Sequence, residues 1–437
     1  MRFHLNGVHL PHRKSTSAEK AVRMESPKSV TLPMSMHIGN PAIPAVKIGN
    51  EVKIGTLIAT QNGVISSPIH ASVSGKVTKI SDMLLSNGSK VPAITIESDG
   101  AMNVDENLIA PVINSKEDFV EALKNSGIVG LGGAGFPTYV KFNVSSEKIE
   151  ELIINGAECE PYITSDSYTM LNRVEDIKFA IEKIQELFSV KRIIIGIENN
   201  KKSCIDSMKE LAKGNNSIEV KVLPSIYPQG GEKVLVYHTT GKKIPQGKLP
   251  IDVGCIVCNC TTIASIGSYL KTGIPLVEKC VTVAGGAVKK PQNVIVPIGT
   301  SLSDVFDTCG GLISEPEKIL YGGPMMGISV PDTSVPILKN TNAILALTKR
   351  ETKTPKHTAC IRCGACANIC PFGINPAAMA RAYEKKEYEQ LPDLGAELCM
   401  ECGCCSYVCP ANRPLVQLNK LAKIAVKEEK LKEAQKQ

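Results

Sequence analysis

Eight cysteines near the C-terminus constrain this 437-residue chain more than any other feature of its sequence. They form two runs of the type C-x2-C-x2-C-x3-C-P. Two-residue gaps let one loop wrap three corners of a cuboidal cluster, and the fourth cysteine of each run ligates the other cluster. A zinc site is the alternative, but zinc takes four ligands, usually in two C-x2-C pairs. We therefore predict two [4Fe–4S] clusters, one held by Cys360, Cys363, Cys366 and Cys409 and the other by Cys399, Cys402, Cys405 and Cys370.

Composition excludes several classes of protein. No stretch of about 18 consecutive apolar residues is present, so we expect no transmembrane helix. The N-terminus lacks the apolar region of an export signal, which predicts a cytoplasmic protein. Sixteen cysteines in such a protein argue against a disulfide framework. The net charge of +7 is modest and Trp is absent, so nucleic-acid binding is not expected.

Changes in hydrophobic periodicity predict a multidomain fold that combines α/β and β modules. Polar residues 1–30 predict an irregular arm, and short alternating runs over 31–100 predict a small all-β module. Alternating strands and helices over 110–270 predict an α/β domain with a largely parallel sheet. Strand-like runs return over 271–335. A helical pattern between the cysteine runs predicts a helical two-cluster ferredoxin domain over 345–415, followed by a Lys/Glu-rich helical tail over 416–437.

A glycine-rich loop in the α/β domain is the first candidate ligand site. Its glycines, Gly130, Gly132, Gly133 and Gly135, let backbone N–H groups approach an anion, and Lys141 adds positive potential. The loop does not match the P-loop pattern. A tight turn with close packing is the alternative interpretation.

Two further segments follow predicted strands of the same sheet, Asn155-Gly-Ala-Glu-Cys-Glu-Pro and Gln229-Gly-Gly-Glu-Lys. Open α/β sheets bind ligands at the carboxyl ends of their strands. The sequence therefore predicts that these segments meet the glycine-rich loop at one edge of the sheet.

Together these motifs resemble the FMN- and NADH-binding flavoprotein subunit of respiratory complex I and its relatives. The resemblance implies that the loop glycines and Lys141 hold the FMN phosphate and contact NADH. It implies that Asn155 holds the flavin and that the acids Glu158 and Glu160 position the nicotinamide. The stretches 230–232 and 259–262 resemble the family's other flavin-facing loops, which adds Glu232, Asn259 and Thr261 to the implied cofactor-binding residues.

Two departures from that family weaken the expected hold on the flavin. The complex I flavoprotein has an Arg within its glycine-rich loop, where this chain reads Gly-Leu-Gly-Gly. Its second motif begins Asn-Ala-Asp-Glu, where this chain reads Asn155-Gly-Ala-Glu.

The order of parts along nearly the whole chain resembles the RnfC family, the C-subunits of Rnf complexes. The matching parts include Phe3-His-Leu-Asn-Gly-Val-His-Leu-Pro, His37-Ile-Gly-Asn-Pro-Ala and the segment 283–300. The resemblance implies a lipoyl-like barrel-sandwich module, a Rossmann-like flavin/NADH domain and a β-grasp domain. The tip of the lipoyl-like hairpin, 61–64, lacks the lysine that a carrier needs, which predicts a docking or structural piece.

That family implies an oxidoreductase subunit bound peripherally at the cytoplasmic face of the membrane. Electrons would pass between NAD(H) as substrate, non-covalent FMN and the two clusters, to or from partner subunits that couple ferredoxin:NAD electron transfer to ion transport. Ferredoxin would be met only indirectly. Two alternatives stay open: a flavin/iron–sulfur cobalamin reductase of a bacterial microcompartment, and a cluster-bearing relay scaffold without nucleotide chemistry. The N-terminal arm favours the Rnf family.

Several other residues have a structural interpretation beside a functional one. The irregular spacing of Cys255, Cys258 and Cys260 predicts packing rather than a metal site. Cys404 is off the register of its run and is predicted not to be a ligand. Cys159 and Phe136 could touch a cofactor or pack in the core. In the tail, Leu418, Leu421 and Ile424 predict a helix packed on its own domain, with a membrane surface as the alternative.

Overall fold

The computed structural model describes residues 5–18, 20–86, 88–145, 148–353 and 355–436. The start of the predicted arm, including Phe3, and the last residue of the predicted tail lie outside these ranges. The arm follows an irregular path with one 3-10 turn, Ser15–Ala18. It is not irregular throughout, because strand β1 (Val22–Arg23) pairs in parallel with residues 294–295. A strand of two residues has no periodicity from which it could have been predicted.

Two antiparallel sheets form the N-terminal module, in the orders β2-β8-β7-β4 and β3-β5-β6. Alternate residues of its strands point inward, such as Val30 and Leu32 opposite Ile94 and Ile96. The tip 61–64 lies against the next domain, where Tyr139 Oη donates a hydrogen bond to Val64 O. The strands are β2 (Ser29–Pro33), β3 (Ile43–Pro44), β4 (Glu51–Val52), β5 (Leu57–Thr60), β6 (Ile69–His70), β7 (Gly75–Leu84) and β8 (Lys90–Ser98).

The α/β domain has a four-stranded parallel sheet in the order β11-β10-β9-β12. Its strands are β9 (Glu151–Gly156), β10 (Arg192–Glu198), β11 (Ile218–Leu223) and β12 (Cys255–Asn259). Apolar runs such as 193–195 are buried because helices cover the sheet. The helices are α1 (Lys116–Asn125), α2 (Thr138–Phe142), α3 (Ser165–Asn172), α4 (Val174–Phe188), α5 (Lys202–Leu211), α6 (Glu232–Thr240) and α7 (Cys260–Thr272).

Local sequence explains where these helices form. Ser115 caps α1 and forms a capping box with Asp118, which satisfies backbone N–H groups at the start of the helix. In α4, Ile177, Ile181 and Ile184 recur at helical spacing and are buried. β12 was not among the predicted strands.

A six-stranded sheet in the order β1-β14-β13-β17-β15-β16 forms the next domain, with α8 in its core. This sheet exceeds the predicted range 271–335, since it takes a strand from the arm and another from beyond residue 340. Its remaining elements are β13 (Glu278–Ala284), β14 (Gln292–Pro297), α8 (Leu302–Thr308), β15 (Lys318–Tyr321), β16 (Ile328–Val330) and β17 (Ala343–Leu347).

The cysteine segment is helical, with α9 (Ala365–Asn368), α10 (Pro376–Glu384), α11 (Cys404–Tyr407) and α12 (Leu415–Lys436). The tail helix α12 packs against α10, as predicted, but through a different face. Ala422, Ala425 and Val426 are buried, whereas Leu421 and Ile424 of the predicted apolar stripe are exposed. Among the described residues, no helix has both the length and the apolar character needed to cross a membrane.

Candidate functional site

The glycine-rich loop 130–135 links α1 to α2 as a closed turn. Gly130 N donates to Phe136 O at 2.8 Å, and Gly135 N donates to Gly130 O at 3.0 Å. Gly133 has a φ of +120°, a conformation that residues with a Cβ rarely adopt. Residues 132–134 are exposed and Phe136 is half-buried. Residues 132–134 of the loop are therefore accessible from outside rather than packed in the core.

Two segments that the sequence predicted to meet, those of Asn155 and Gly230, come together at the carboxyl edge of the parallel sheet, and the glycine-rich loop reaches the same edge at Asn259. Asn155, at the end of β9, donates from Nδ2 to Gly230 O at 2.9 Å. Gly132 lies against Asn259, which ends β12, so closely that a Cβ at Gly132 would be 3.0 Å from Asn259 Nδ2. Cys159 joins this arrangement, because its Sγ accepts a hydrogen bond from Gly230 N at 3.3 Å.

Two of the cofactor-binding candidates on this edge, Asn259 and Thr261, are held in place by α3. Asp166 on α3 accepts hydrogen bonds from Asn259 Nδ2 and from Thr261 Oγ1, both at 2.7 Å. Asn259 also caps α7, since its Oδ1 accepts from Thr261 N at 2.9 Å. Asp166 was not predicted as a site residue. Its contacts fix the orientation of both candidates.

A charged pair lies at the rim of the same edge. Lys141 Nζ donates to Val257 O at 2.8 Å and lies 3.4 Å from Glu232 Oε2. The Lys141 side chain is 26% exposed, so its charge is accessible from outside at this edge. Glu232 partly offsets that charge when no anion is bound.

Glu158 lies inside the protein, which departs from its predicted role at the nicotinamide. Its Oε1 accepts from Asp166 N and its Oε2 from Ser167 Oγ, each at 2.8 Å. Lys14 and Lys201 each place Nζ 3.9 Å from Oε2. Both carboxylate oxygens are thus engaged by protein groups. Glu158 anchors the start of α3 to the loop that carries Glu160.

Two lysines that sequence reasoning missed hold this loop. Lys14 of the arm donates to Glu158 O and Glu160 O, both at 2.8 Å, and to Ile163 O at 2.5 Å. Lys201 donates to Glu158 O at 3.0 Å and to Glu198 Oε2 at 3.2 Å. Burial opposes the charge of Lys201, but Glu158 and Glu198 outweigh it and raise its pKa. The arm therefore belongs to the site.

Glu160 is only partly buried and is held by the neighbouring β domain. It accepts hydrogen bonds from Met325 N at 3.1 Å and Met326 N at 2.8 Å. Burial raises the pKa of Glu160 to about 7. Gly323 approaches so closely that a Cβ there would be 2.3 Å from Glu160 Oε2. A side chain at position 323 would displace the acid.

Two buried lysines support the glycine-rich loop from behind. Lys279 Nζ donates to Leu131 O at 3.3 Å and to Lys339 O at 3.0 Å. Lys339 Nζ donates to Gly127 O at 2.7 Å and to Pro68 O at 2.5 Å. Burial lowers the pKa of each lysine to about 7. Neither was predicted, because each lies beside apolar residues whose pattern indicates only a strand or a core segment.

The structure gathers the four cysteines predicted for the second cluster around one cavity, and it brings together two of the four predicted for the first. Cys370, from the first run, lines one cavity together with Cys399, Cys402 and Cys405 of the second run. Four thiols from two loops around one cavity match the donor set of a cubane. Cys366 and Cys409 pack in one apolar cluster that also includes Cys405, while Cys360 and Cys363 are exposed.

Cys404 also lines the cavity, and its thiol lies 3.9 Å from Tyr227 O and interacts with the side chain of Cys402. Cys255, Cys258 and Cys260 are buried thiols of β12 and α7. Burial raises the pKa of Cys255 to about 12 and of Cys258 to about 11. These three cysteines lie in a buried strand and in the helix that follows it, which is the position of packing cysteines.

The loop of the second cluster touches the edge of the parallel sheet. Met400, between Cys399 and Cys402, packs so closely on Gly231 that a Cβ at Gly231 would lie 2.2 Å from Met400 Cε. Tyr227 Oη donates to Cys402 O at 2.7 Å. The second cluster site is therefore adjacent to the candidate flavin site. The first is partly exposed through its own cysteines.

Four family profiles match the chain in succession. Residues 1–101 match the RnfC barrel sandwich hybrid domain and residues 123–268 match the Nuo51 FMN-binding domain. Residues 280–329 match the SLBB domain and residues 359–413 match a 4Fe–4S dicluster domain. The chain thus carries an FMN-binding domain and a two-cluster domain.

Relatives match the chain as a whole. It is 40% identical over 423 residues to the C-subunit of the Na+-translocating ferredoxin:NAD+ oxidoreductase complex of Acetobacterium woodii, covering 95% of both chains. It is 40% identical over 390 residues to the proton-translocating counterpart of Clostridium ljungdahlii, covering 88% of this chain and 85% of that protein. A solved NAD+-reducing [NiFe]-hydrogenase aligns at 18% identity with a TM-score of 0.49, covering 64% of this chain and 54% of that one. The resemblance seen in the motifs is confirmed, and the chain belongs to the RnfC family, the C-subunits of ion-translocating ferredoxin:NAD+ oxidoreductase complexes.

Proposed function

We propose that this chain is the NADH-facing, peripheral subunit of a membrane redox complex, at the cytoplasmic face of the membrane. Electrons pass between NAD(H), FMN and two [4Fe–4S] clusters, to or from partner subunits that couple ferredoxin:NAD electron transfer to ion transport. This chain exchanges electrons with ferredoxin only through those partner subunits. One observation carries the proposal: the loop of the second cluster lies directly on the sheet edge where the candidate flavin residues meet.

Different residues at that edge bind different parts of FMN. The exposed amides of the glycine-rich loop and Lys141 hold the phosphate of FMN, since N–H groups and a cation both favour an anion. The ring system is held by a set of polar side chains: Asn155, Glu232, Asn259 and Thr261. Bound FMN supplies the chemistry of accepting hydride and releasing electrons singly, so the protein needs no acid–base group for that step.

The two acids take different roles. Glu160, which is partly exposed, faces the nicotinamide and orients it through its carboxyl group. Glu158, which is buried against the start of α3, is a positioning residue that fixes the loop carrying Glu160.

The clusters act in a fixed order. The second cluster, held by Cys370, Cys399, Cys402 and Cys405, is the one next to the flavin. The first, whose Cys360 and Cys363 are exposed, is the one next to a partner protein of the complex. Electrons can run along this path in either direction.

We also propose the finer fold assignments within the multidomain layout. Two small antiparallel sheets support a lipoyl-like barrel-sandwich, and the parallel sheet with its carboxyl-edge site supports a Rossmann-like domain. The mixed sheet packed around α8 supports a β-grasp domain. The lysine-free tip 61–64, which contacts Tyr139, fits a docking role.

A cofactor inventory and an anaerobic reduction test this function. The full chain, purified without oxygen, should contain about eight iron and eight sulfide. When it is saturated with FMN, NADH should bleach the flavin and cluster absorption, as dithionite does. Bleaching by dithionite but never by NADH would leave the relay scaffold as the better account, and zinc in place of iron would refute the cluster assignment.

A further inference from the structure

Asn419 places a polar side chain in the wall of the second-cluster cavity. The residue lies on α12 and is 0% exposed. Within the part of the chain that the structure describes, neither its Oδ1 nor its Nδ2 has a hydrogen-bond partner. A fully buried amide with both ends unpaired is rare, because removing it from water is not compensated.

The surroundings of Asn419 would accept an apolar residue. Along the same face of α12, Leu415, Ala422 and Val426 are buried, at spacings typical of one helix face. An apolar residue in this row would remove the unpaired amide without disturbing the pattern. An amide at this position is explained if the cavity holds a hydrogen-bond acceptor that is not part of the protein.

The four cysteines around the cavity indicate what that acceptor is. Cys370, Cys399, Cys402 and Cys405 form the predicted ligand set of the second cluster, and the sulfur atoms of such a cluster accept hydrogen bonds. The amide nitrogen of Asn419 offers two N–H donors. Since only donors can satisfy sulfur acceptors, Nδ2 is the end of the amide that would serve the cluster.

We propose that Asn419 donates a side-chain hydrogen bond to the second [4Fe–4S] cluster and raises its reduction potential. The reduced cluster carries one more negative charge than the oxidised cluster, so a donor to its sulfur stabilises the reduced form more. Asn419 is thus a positioning and tuning residue that favours electron transfer from the flavin to the second cluster. The inference rests on the cluster part of the proposed function.

Redox titration of the full chain, followed by electron paramagnetic resonance, tests this role. Asn419→Leu has a similar volume and no donor, and should shift the midpoint potential of the second cluster downward while leaving the first unchanged. Gln417→Leu is the matched control, because it removes an exposed amide from the same helix and should shift neither potential. The Cys363→Ala variant, which lacks a ligand of the first cluster, identifies which signal belongs to the second.

The outcomes separate this inference from the proposed function. If the wild-type chain contains no iron and sulfide, the proposed function fails. If Asn419→Leu retains both clusters and both midpoints stay at their wild-type values, the tuning role is overturned.

If Asn419→Leu does not assemble the second cluster, a measurement on the wild-type chain tests the hydrogen bond instead. With ¹⁵N in its asparagine side-chain amides, the reduced second cluster should show a ¹⁵N coupling by pulsed resonance. Absence of that coupling overturns the proposal.

Discussion

Glu158 and Glu160 stand two residues apart, yet the fold gives them opposite surroundings. The first is enclosed by Asp166 N, Ser167 Oγ and two lysines, and the second is gripped by backbone N–H groups of another domain while staying partly exposed. The motif predicted that both acids serve the nicotinamide. It could not separate them, because the lysines that face Glu158 and the backbone groups that hold Glu160 come from distant parts of the chain.

Glu160 should give the reaction with NADH a dependence on pH. Burial raises its pKa to about 7, so the carboxylate that orients the nicotinamide forms as the pH rises through that value. We expect the rate of flavin reduction by NADH, measured by stopped flow, to rise across about pH 7 and to lose this inflection in Glu160→Gln. Reduction by dithionite bypasses the nucleotide site and is the control. The same inflection in Glu160→Gln would assign it to another group.

The same shift has a defined effect on stability. The folded-state pKa of Glu160 lies above its ordinary value of 4.5, so the folded protein binds the proton more tightly than the unfolded chain. Its contribution to stability is fully present below that ordinary value and is lost as the pH rises to about 7.

Lys141 should contribute to flavin affinity. Loss of a charge-assisted hydrogen bond costs about 1.5–3 kcal/mol, which corresponds to a rise of roughly 10- to 100-fold in the dissociation constant. We expect Lys141→Ala to weaken FMN binding to this extent in a fluorescence titration. Lys124→Ala is the control, since Lys124 pairs with Glu121 on the exposed side of α1. Equal affinity in wild type and Lys141→Ala would remove the lysine from the phosphate site.

The sequence predicted the helices and strands that are long and have a strong hydrophobic pattern. β9, β10 and β11 are apolar runs, and α4 repeats isoleucines at helical spacing. β12 was not predicted, although its two cysteines flank Ile256 and Val257 in one continuous apolar run, as in a strand buried on both faces. β1 and β17 join their sheet through pairing partners far away in sequence, which no local pattern reveals.

The face of α12 that packs can be tested with two substitutions. Ala422 is 0% exposed and Ile424 is 53% exposed. Burying a carboxylate costs several kcal/mol, so Ala422→Asp should sharply lower the thermal midpoint of cluster loss, measured by visible absorption. Ile424→Asp should leave that midpoint unchanged and should not alter binding to protein-free liposomes, which we expect to be weak for both proteins. Tight liposome binding that is lost in Ile424→Asp would make this face a membrane anchor.

At the scale of the whole molecule, the site is assembled from every domain. Lys339 touches carbonyl groups of the N-terminal module and of the α/β domain, and Lys14 brings the arm onto the acidic loop. Residues 325–326 of the mixed sheet domain hold Glu160, and Met400 of the cluster domain packs on Gly231. Motifs predicted the order of domains and the residues of each loop. They could not predict these contacts between domains, because such contacts depend on how the folded surfaces of the domains fit together.

The central claim is that electrons from NADH reach the first cluster through the second. Cys402→Ala removes a ligand from the second cluster and Cys363→Ala removes one from the first, while Cys404→Ala changes a neighbouring thiol that is not a predicted ligand. Rapid-freeze paramagnetic resonance of FMN-loaded protein mixed with NADH measures which cluster is reduced. The account predicts that Cys404→Ala behaves as wild type and that Cys363→Ala still reduces the second cluster. In Cys402→Ala, the first cluster should stay oxidised with NADH and become reduced with dithionite. Reduction of the first cluster by NADH at the wild-type rate in Cys402→Ala would contradict it.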